Sequence, residues 1–228
     1  MKDVVVVSAC RTAIGTFGGT LKDLNGPTLA SVVMKEAVKR AGIDVGAVND
    51  VRFGCCVEHH DNLNVTRVGA LLAGIPETVP AVTVNRVCIS GMEAAISGAA
   101  MIWSGLADVI LAGGVEHMSG VPYTAPAARW GCRLQDSVFV DALIHALYAG
   151  SHIIPGLEKG PVKEGPIVDL FRGKPYIMGV TAELVAQMYN ITREEMDAVA
   201  LRSHNNAERA TREGDFKEEI VPVEVPQK

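Results

Sequence analysis

The chain turns on residues 81–95, Ala81-Val82-Thr83-Val84-Asn85-Arg86-Val87-Cys88-Ile89-Ser90-Gly91-Met92-Glu93-Ala94-Ala95. The β-branched run without a breaker reads as a strand that turns sharply at Cys88. The small residues Ser90, Gly91, Ala94, Ala95, Ser97, Gly98, Ala99 and Ala100 then read as a closely packed helix. Cys88 accordingly stands at a helix N-terminus. There, unpaired backbone N–H groups and the positive end of the helix dipole favour a thiolate and can hold an oxyanion formed beside it. An isolated Cys is more often a small core residue. Strand, Cys, Ser-Gly and a helix of small residues together read as nucleophile chemistry.

Working outward, Asp3 to Ala9 is a Val-rich strand followed by a polar, glycine-rich loop, Arg11 to Gly19. That loop lacks both the Lys-Ser/Thr ending of a P-loop and the spacing of a dinucleotide fingerprint. Pro27 opens a helix that ends near Ala41-Gly42, Val51 to Val57 is a strand, and Leu63 to Ala73 is a helix closed by Gly74 and Pro76. On the other side of Cys88, Asp108 to Gly114 is a further strand. Strands alternating with helices predict an α/β fold with a mostly parallel sheet covered on both faces. From Gly120 to Met178 the pattern breaks into short Gly- and Pro-rich pieces with one helical segment, Phe139 to Tyr148. Order returns with a helix near Met178 to Ala186 that Thr181 could cap, and Thr192-Arg193-Glu194-Glu195 is a capping box opening a long charged helix to Arg212. Glu219 to Val225 reads as an edge strand because Pro222 cannot donate to a central ladder.

With 228 residues, 48% of them hydrophobic, the chain is long enough to bury a real core. A net charge of −5 with no basic stripe argues against a nucleic-acid partner. No apolar run reaches the roughly 20 residues of a membrane span, and no signal-peptide pattern opens the chain, so the expected localisation is cytoplasmic. Five Cys (10, 55, 56, 88 and 132) at irregular spacing argue against a disulfide framework and suit a reducing compartment. Cys55-Cys56 with His59-His60 matches no zinc pattern, and adjacent strand residues point to opposite faces, so no metal is expected.

Four motifs coincide with one family. The chain resembles the thiolases through SACRTAIGTFGG (8–19), VNRVCISGMEAA (84–95), LAGGVEHMS (111–119) and MGVTAE (178–183), joined by REEMDAVALRSHNNA (193–207) and EIVPV (219–223). The resemblance implies a thiolase-like fold: the N-terminal core in residues 1–119, then residues 120–228 as an incomplete loop domain of the kind that covers coenzyme A. It maps Cys88 onto the catalytic nucleophile, which takes the acyl group as a thioester while its own N–H helps hold the oxyanion. It also implies a substrate-binding surface including Ile89, His117, Met118, Ile177 and Met178, with a coenzyme A thioester as substrate and no tightly bound cofactor.

Departures from the family pattern are as informative. Ala13 replaces a common Pro, Ile89 is bulky where a small residue usually follows the nucleophile, and Ile177 stands where many members carry a pocket His. The segment from Ala149 to Tyr176 is longer than the usual loop and is expected to act as a lid or pocket wall. The motifs that carry an acid/base His and a second Cys in similar thiolases do not occur in these residues. Carbon–carbon bond formation needs a base beside an enolate site, and among the local His residues His117 reads as structural or pocket-lining. The expected function is therefore the nucleophile-bearing subunit or fragment of a thiolase, an acyltransferase active with a second chain that supplies the His and Cys, in a higher hetero-oligomer. The alternatives are a non-catalytic CoA-binding or assembly subunit and a thiolase-related synthase. The small-residue face of the Cys88 helix is expected to need a covering partner.

Overall fold

A computed structural model describes residues 3–58, 60–148, 150 and 177–226. In chain order the elements are β1 (Arg11–Thr12), α1 (Gly26–Ala41), β2 (Asp50–Gly54), α2 (Val65–Leu72), β3 (Ala81–Val84), α3 (Ser90–Trp103), β4 (Ile110–Gly114), β5 (Tyr123–Thr124), β6 (Val140–Asp141), α4 (Ala142–Leu147), α5 (Met178–Tyr189), α6 (Arg193–Glu213) and β7 (Ile220–Val221). They fall into two compact units, Met1–Val121 with Phe216–Lys228, and Pro122–Asp215.

The first unit is built on a parallel three-stranded sheet in the order β3-β2-β4. Its register aligns Gly54 with both Val84 and Gly114, so the three strands finish level at their C-terminal ends. Alternation along β2 sorts the two faces. Val51 and Phe53 enter a core with Ala30, Met34, Val48, Ala70, Ile75 and Val79, the side covered by α1 and α2. Full burial of Met34 and Val51 contributes roughly 1.5–3 kcal/mol each. Arg52 points the other way, and its Nε donates to Ser97 Oγ of α3 at 3.0 Å.

Local signals place the two helices of the first face. Asn25 Oδ1 accepts from Thr28 N at 2.8 Å, Pro27 occupies the first turn of α1, and Gly42 closes it at φ 66°. Asn64 Oδ1 caps α2 through Arg67 N at 3.0 Å and also accepts from Thr83 Oγ1 at 2.7 Å, tying the helix start to β3. On the opposite face, α3 starts almost in contact with the strand ends. A Cβ on Gly54 would overlap the backbone of Ser90 and Gly91, and one on Gly114 would lie 3.5 Å from Gly91 Cα. These glycines let the helix start directly above the C-terminal edge of the sheet.

The second unit contains the antiparallel pair β5-β6, α4 capped by Asp141 Oδ1 on Leu143 N at 2.9 Å, and helices α5 and α6. The capping box of α6 is present: Thr192 Oγ1 accepts from Glu195 N at 3.2 Å, and Thr192 N donates to Glu195 Oε2 at 2.9 Å. Among the described residues no helix is long and apolar enough to cross a membrane.

Four expectations differ from what is found. Residues 3–9 join no ladder; Val4 to Ala9 flank a cleft of about 510 Å3 along β4, and Val5, Val6 and Val7 are exposed, because β propensity makes a strand only where a neighbour supplies backbone bonds. Thr181 lies inside α5, whose N-cap is Ile177 without a side-chain bond, so the helix starts a turn earlier than the hydroxyl implied. The segment after residue 216 belongs with the first unit, not with the loop region, since β7 pairs in parallel with β1 (Arg11↔Ile220) and Arg40 Nη1 donates to Glu218 O at 2.6 Å. The strand expected over 219–225 is reduced to Ile220–Val221, stopping at Pro222, which has no N–H to donate. The expected lid, Ala149 to Tyr176, falls outside the described residues apart from Gly150.

Candidate active site

Where parallel strands end beside a helix start, backbone N–H groups converge and side chains from several strands share one edge. Cys88 is exposed there, one residue before Ile89, the N-cap of α3. No side chain caps this helix, and the N–H groups of its first turn have no intrahelical partner by construction. The turn that delivers Cys88 is strained: Val87 has φ 54°, a left-handed conformation that a β-branched residue adopts at a cost of about 1–3 kcal/mol. The sequence had placed the sharp turn at Cys88; it is centred one residue earlier.

Several bonds hold that turn. Val87 N donates to Asn85 Oδ1 at 2.9 Å, Arg86 N donates to Ser90 Oγ at 2.9 Å, and Ser90 N donates to Val87 O at 3.1 Å. Arg86 Nη1 pairs with Glu93 Oε2 at 2.8 Å, bridging the turn to the first turn of α3. From the neighbouring strand end, Asn85 Nδ2 donates to Cys56 O at 2.8 Å. Cys56 N and Val57 N in turn donate to the Glu116 carboxylate at 2.8 and 3.1 Å.

The other thiols of this unit are less available. Burial, with the Glu116 carboxylate next in weight, pushes Cys55 up to about 12. Burial first, then Glu116 and Cys88, raises Cys56, and burial raises Cys10 against the pull of Arg40. Of the remaining candidate residues, Ile89 is half-exposed beside Cys88, and Met118 is partly exposed just past β4. His117 is buried, its Nε2 3.2 Å from Leu21 O, while Ser119 Oγ accepts from Gly18 N at 2.9 Å. These two contacts anchor the glycine-rich loop to the end of β4. Ile177 and Met178 lie in the second unit, at the start of α5.

The family profile described as "Thiolase, N-terminal domain" matches residues 4–157 and 158–228. The chain belongs to the thiolase family. Among curated thiolase relatives it is 43% identical over 224 residues to an acetyl-CoA acetyltransferase of Syntrophomonas wolfei, covering 97% of this chain and 51% of that protein. It is 42% identical over 223 residues to the beta-ketothiolase BktB of Cupriavidus necator, with the same coverage of 97% and 51%. Its fold matches the crystal structure of the Bacillus anthracis acetyl-CoA acetyltransferase at a TM-score of 0.84 and 41% identity, over 98% of this chain and 51% of that one. The chain spans about half the length of the curated relatives it matches. The thiolase-like α/β fold expected from the motifs, N-terminal half only, is the one found.

Reading the motifs did not single out Asn85 or Glu116, although both are within them. Asn two residues before a non-glycine turn residue is an Asx-turn signal. Glu116 carried no such local signal, since its partners lie about 60 residues away.

Proposed function

We propose that this chain carries the nucleophile of a thiolase reaction. Cys88 Sγ attacks the carbonyl carbon of an acyl-CoA or 3-oxoacyl-CoA, the carbonyl electrons move to oxygen, and the oxyanion is held by the Cys88 N–H and the uncapped start of α3. Collapse expels the CoA thiolate from an acyl-CoA, or the enolate from a 3-oxoacyl-CoA. The acyl group stays on sulfur as a thioester. The observation that carries this reading is Cys88 itself, exposed on a strained turn at an uncapped helix start within residues that match the thiolase N-terminal domain.

The acid/base His and second Cys come from a C-terminal thiolase half packed against these residues, and the paired halves assemble further into a higher oligomer. A stripe on α3 supports this: Ile89, Met92, Ile96 and Trp103 are 50%, 63%, 55% and 48% exposed. At 3.6 residues per turn these four share one face, and an apolar face of that kind is a contact surface. In the first unit Ile89, His117 and Met118 face the acyl group, no cofactor is held tightly, and the five free thiols suit a cytoplasmic setting.

The test is acylation. Purified with its co-purifying chain and mixed with acetyl-CoA, the protein should carry an acetyl group on the Cys88 peptide by mass spectrometry, and Cys88→Ser should carry none. Acetylation confined to another residue, or absent from the assembled complex, overturns the reading.

A further inference from the structure

A β-branched residue at positive φ persists only where its surroundings over-determine it. At Val87 the restraint does not stop at the turn. The Asn85 amide is used at both ends, its oxygen accepting from Val87 N at 2.9 Å and its nitrogen donating to Cys56 O at 2.8 Å. A reversed amide would set N–H against N–H and oxygen against oxygen, so this orientation is fixed by its partners. The Cys56 backbone is held from the far side, because Cys56 N and Val57 N donate to separate oxygens of Glu116, at 2.8 and 3.1 Å. Cys55 Sγ lies 3.8 Å from Glu116 Oε1, a further donor to the same carboxylate. A continuous set of bonds therefore runs from the end of β4, through the segment after β2, to the turn that carries Cys88.

We propose that Glu116 is a positioning residue for the Cys88 nucleophile, acting through the Cys56 backbone and the Asn85 side chain. The inference rests on the reading of Cys88 as the nucleophile. An ionised carboxylate fits the post because it only accepts and has two oxygens for two adjacent N–H groups, a charge-assisted arrangement stronger than a neutral one. Without it residues 55–57 lose their anchor, Asn85 loses a fixed partner, and Val87 relaxes towards negative φ, carrying Cys88 off the start of α3.

The experiment measures the iodoacetamide rate constant of each cysteine in the full chain by peptide mass spectrometry, with Cys10 and Cys132 as internal controls. Glu116→Ala and Asn85→Ala should each slow Cys88 about tenfold, the scale of one lost charge-assisted bond. The double variant should be no slower than the slower single one, since both act on one path. Glu116→Gln, which keeps one acceptor oxygen but sets an NH2 against the second backbone N–H, should recover only part of the loss. Control rates should stay within about twofold of the unmodified chain, a fold check within the same sample. Should Glu116→Ala fail to fold, Glu116→Asp replaces it in the cycle, because its carboxylate is one methylene short of the loop. Unchanged Cys88 rates, or single effects that multiply in the double variant, overturn the proposal. Acetyl-CoA labelling of the unmodified complex is read in parallel. Coupled alkylation without acylation would leave the positioning role standing and remove the thiolase role.

Discussion

At the scale of single residues, the five cysteines sit in different environments, and those environments order their reactivity. A thiol reacts as its thiolate, so a raised value holds it protonated over a wider pH range. Cys55, pushed up to about 12, stays a thiol through pH 10, and Cys10 and Cys56 are displaced in the same direction by burial. Iodoacetamide at pH 7.5 should therefore modify Cys88 at least about tenfold faster than Cys10, Cys55 or Cys56. Raising the pH to 10 should still leave Cys55 unmodified. Peptide mapping over time checks the order, and Cys55 labelling at pH 7.5 at the rate of Cys88 would contradict it. The placing of Cys88 at a helix start was legible in the sequence because its signal is local: a β-branched run, a Cys, and small residues in one short stretch. The burial that raises Cys55 and Cys56, and Glu116 next to it in weight, were not, because both arise only after two parallel strands align their ends.

At the scale of elements, α3 is set by glycine as much as by its own sequence. Gly54 on β2 leaves no room for a side chain beneath Ser90 and Gly91. Gly54→Ala should force the start of α3 away from the sheet, costing about 1–3 kcal/mol in a denaturant melt. Cys88 alkylation should change with it, whereas Gly18→Ala, with nothing within 4 Å of the added carbon, should leave Cys88 untouched despite its φ of 69°. Unaltered stability and Cys88 reactivity in Gly54→Ala would show that the close approach is dispensable. Helix starts followed from Pro27 and the Thr192-Glu195 box, whereas Asn25 and Asn64, which cap α1 and α2, were not singled out, and the second helix begins at Val65 rather than Leu63. The failures are the elements whose definition needs a partner. The Val run at 4–7 has strand chemistry but no ladder, and Thr181 has cap chemistry but lies within a helix that begins at Met178.

For the whole molecule, the exposed stripe on α3 gives the proposed partner a definite footprint. Met92→Lys together with Ile96→Lys leaves the isolated chain's core intact, because both side chains already face solvent. The pair of charges should weaken capture of the C-terminal thiolase half by more than about 2 kcal/mol, roughly thirtyfold, as for the centre of an interface. Particle mass by light scattering, with and without the partner, checks this, and an unaltered complex would place the contact elsewhere. Sequence alone leads one to expect a covering partner over this helix's small residues; three of them, Ser90, Ala94 and Gly98, are buried within the first unit, and the exposed stripe is made of larger apolar residues. The pairing of β1 with β7 has a consequence in time. Arg11 emerges from the ribosome early, while its ladder partner Ile220 follows about 200 residues later, a delay of roughly 10–40 s at ordinary elongation rates. Throughout that interval Arg11–Thr12 has no strand to pair with. The first unit therefore cannot close its β1-β7 pair until the whole of the second unit has been synthesised.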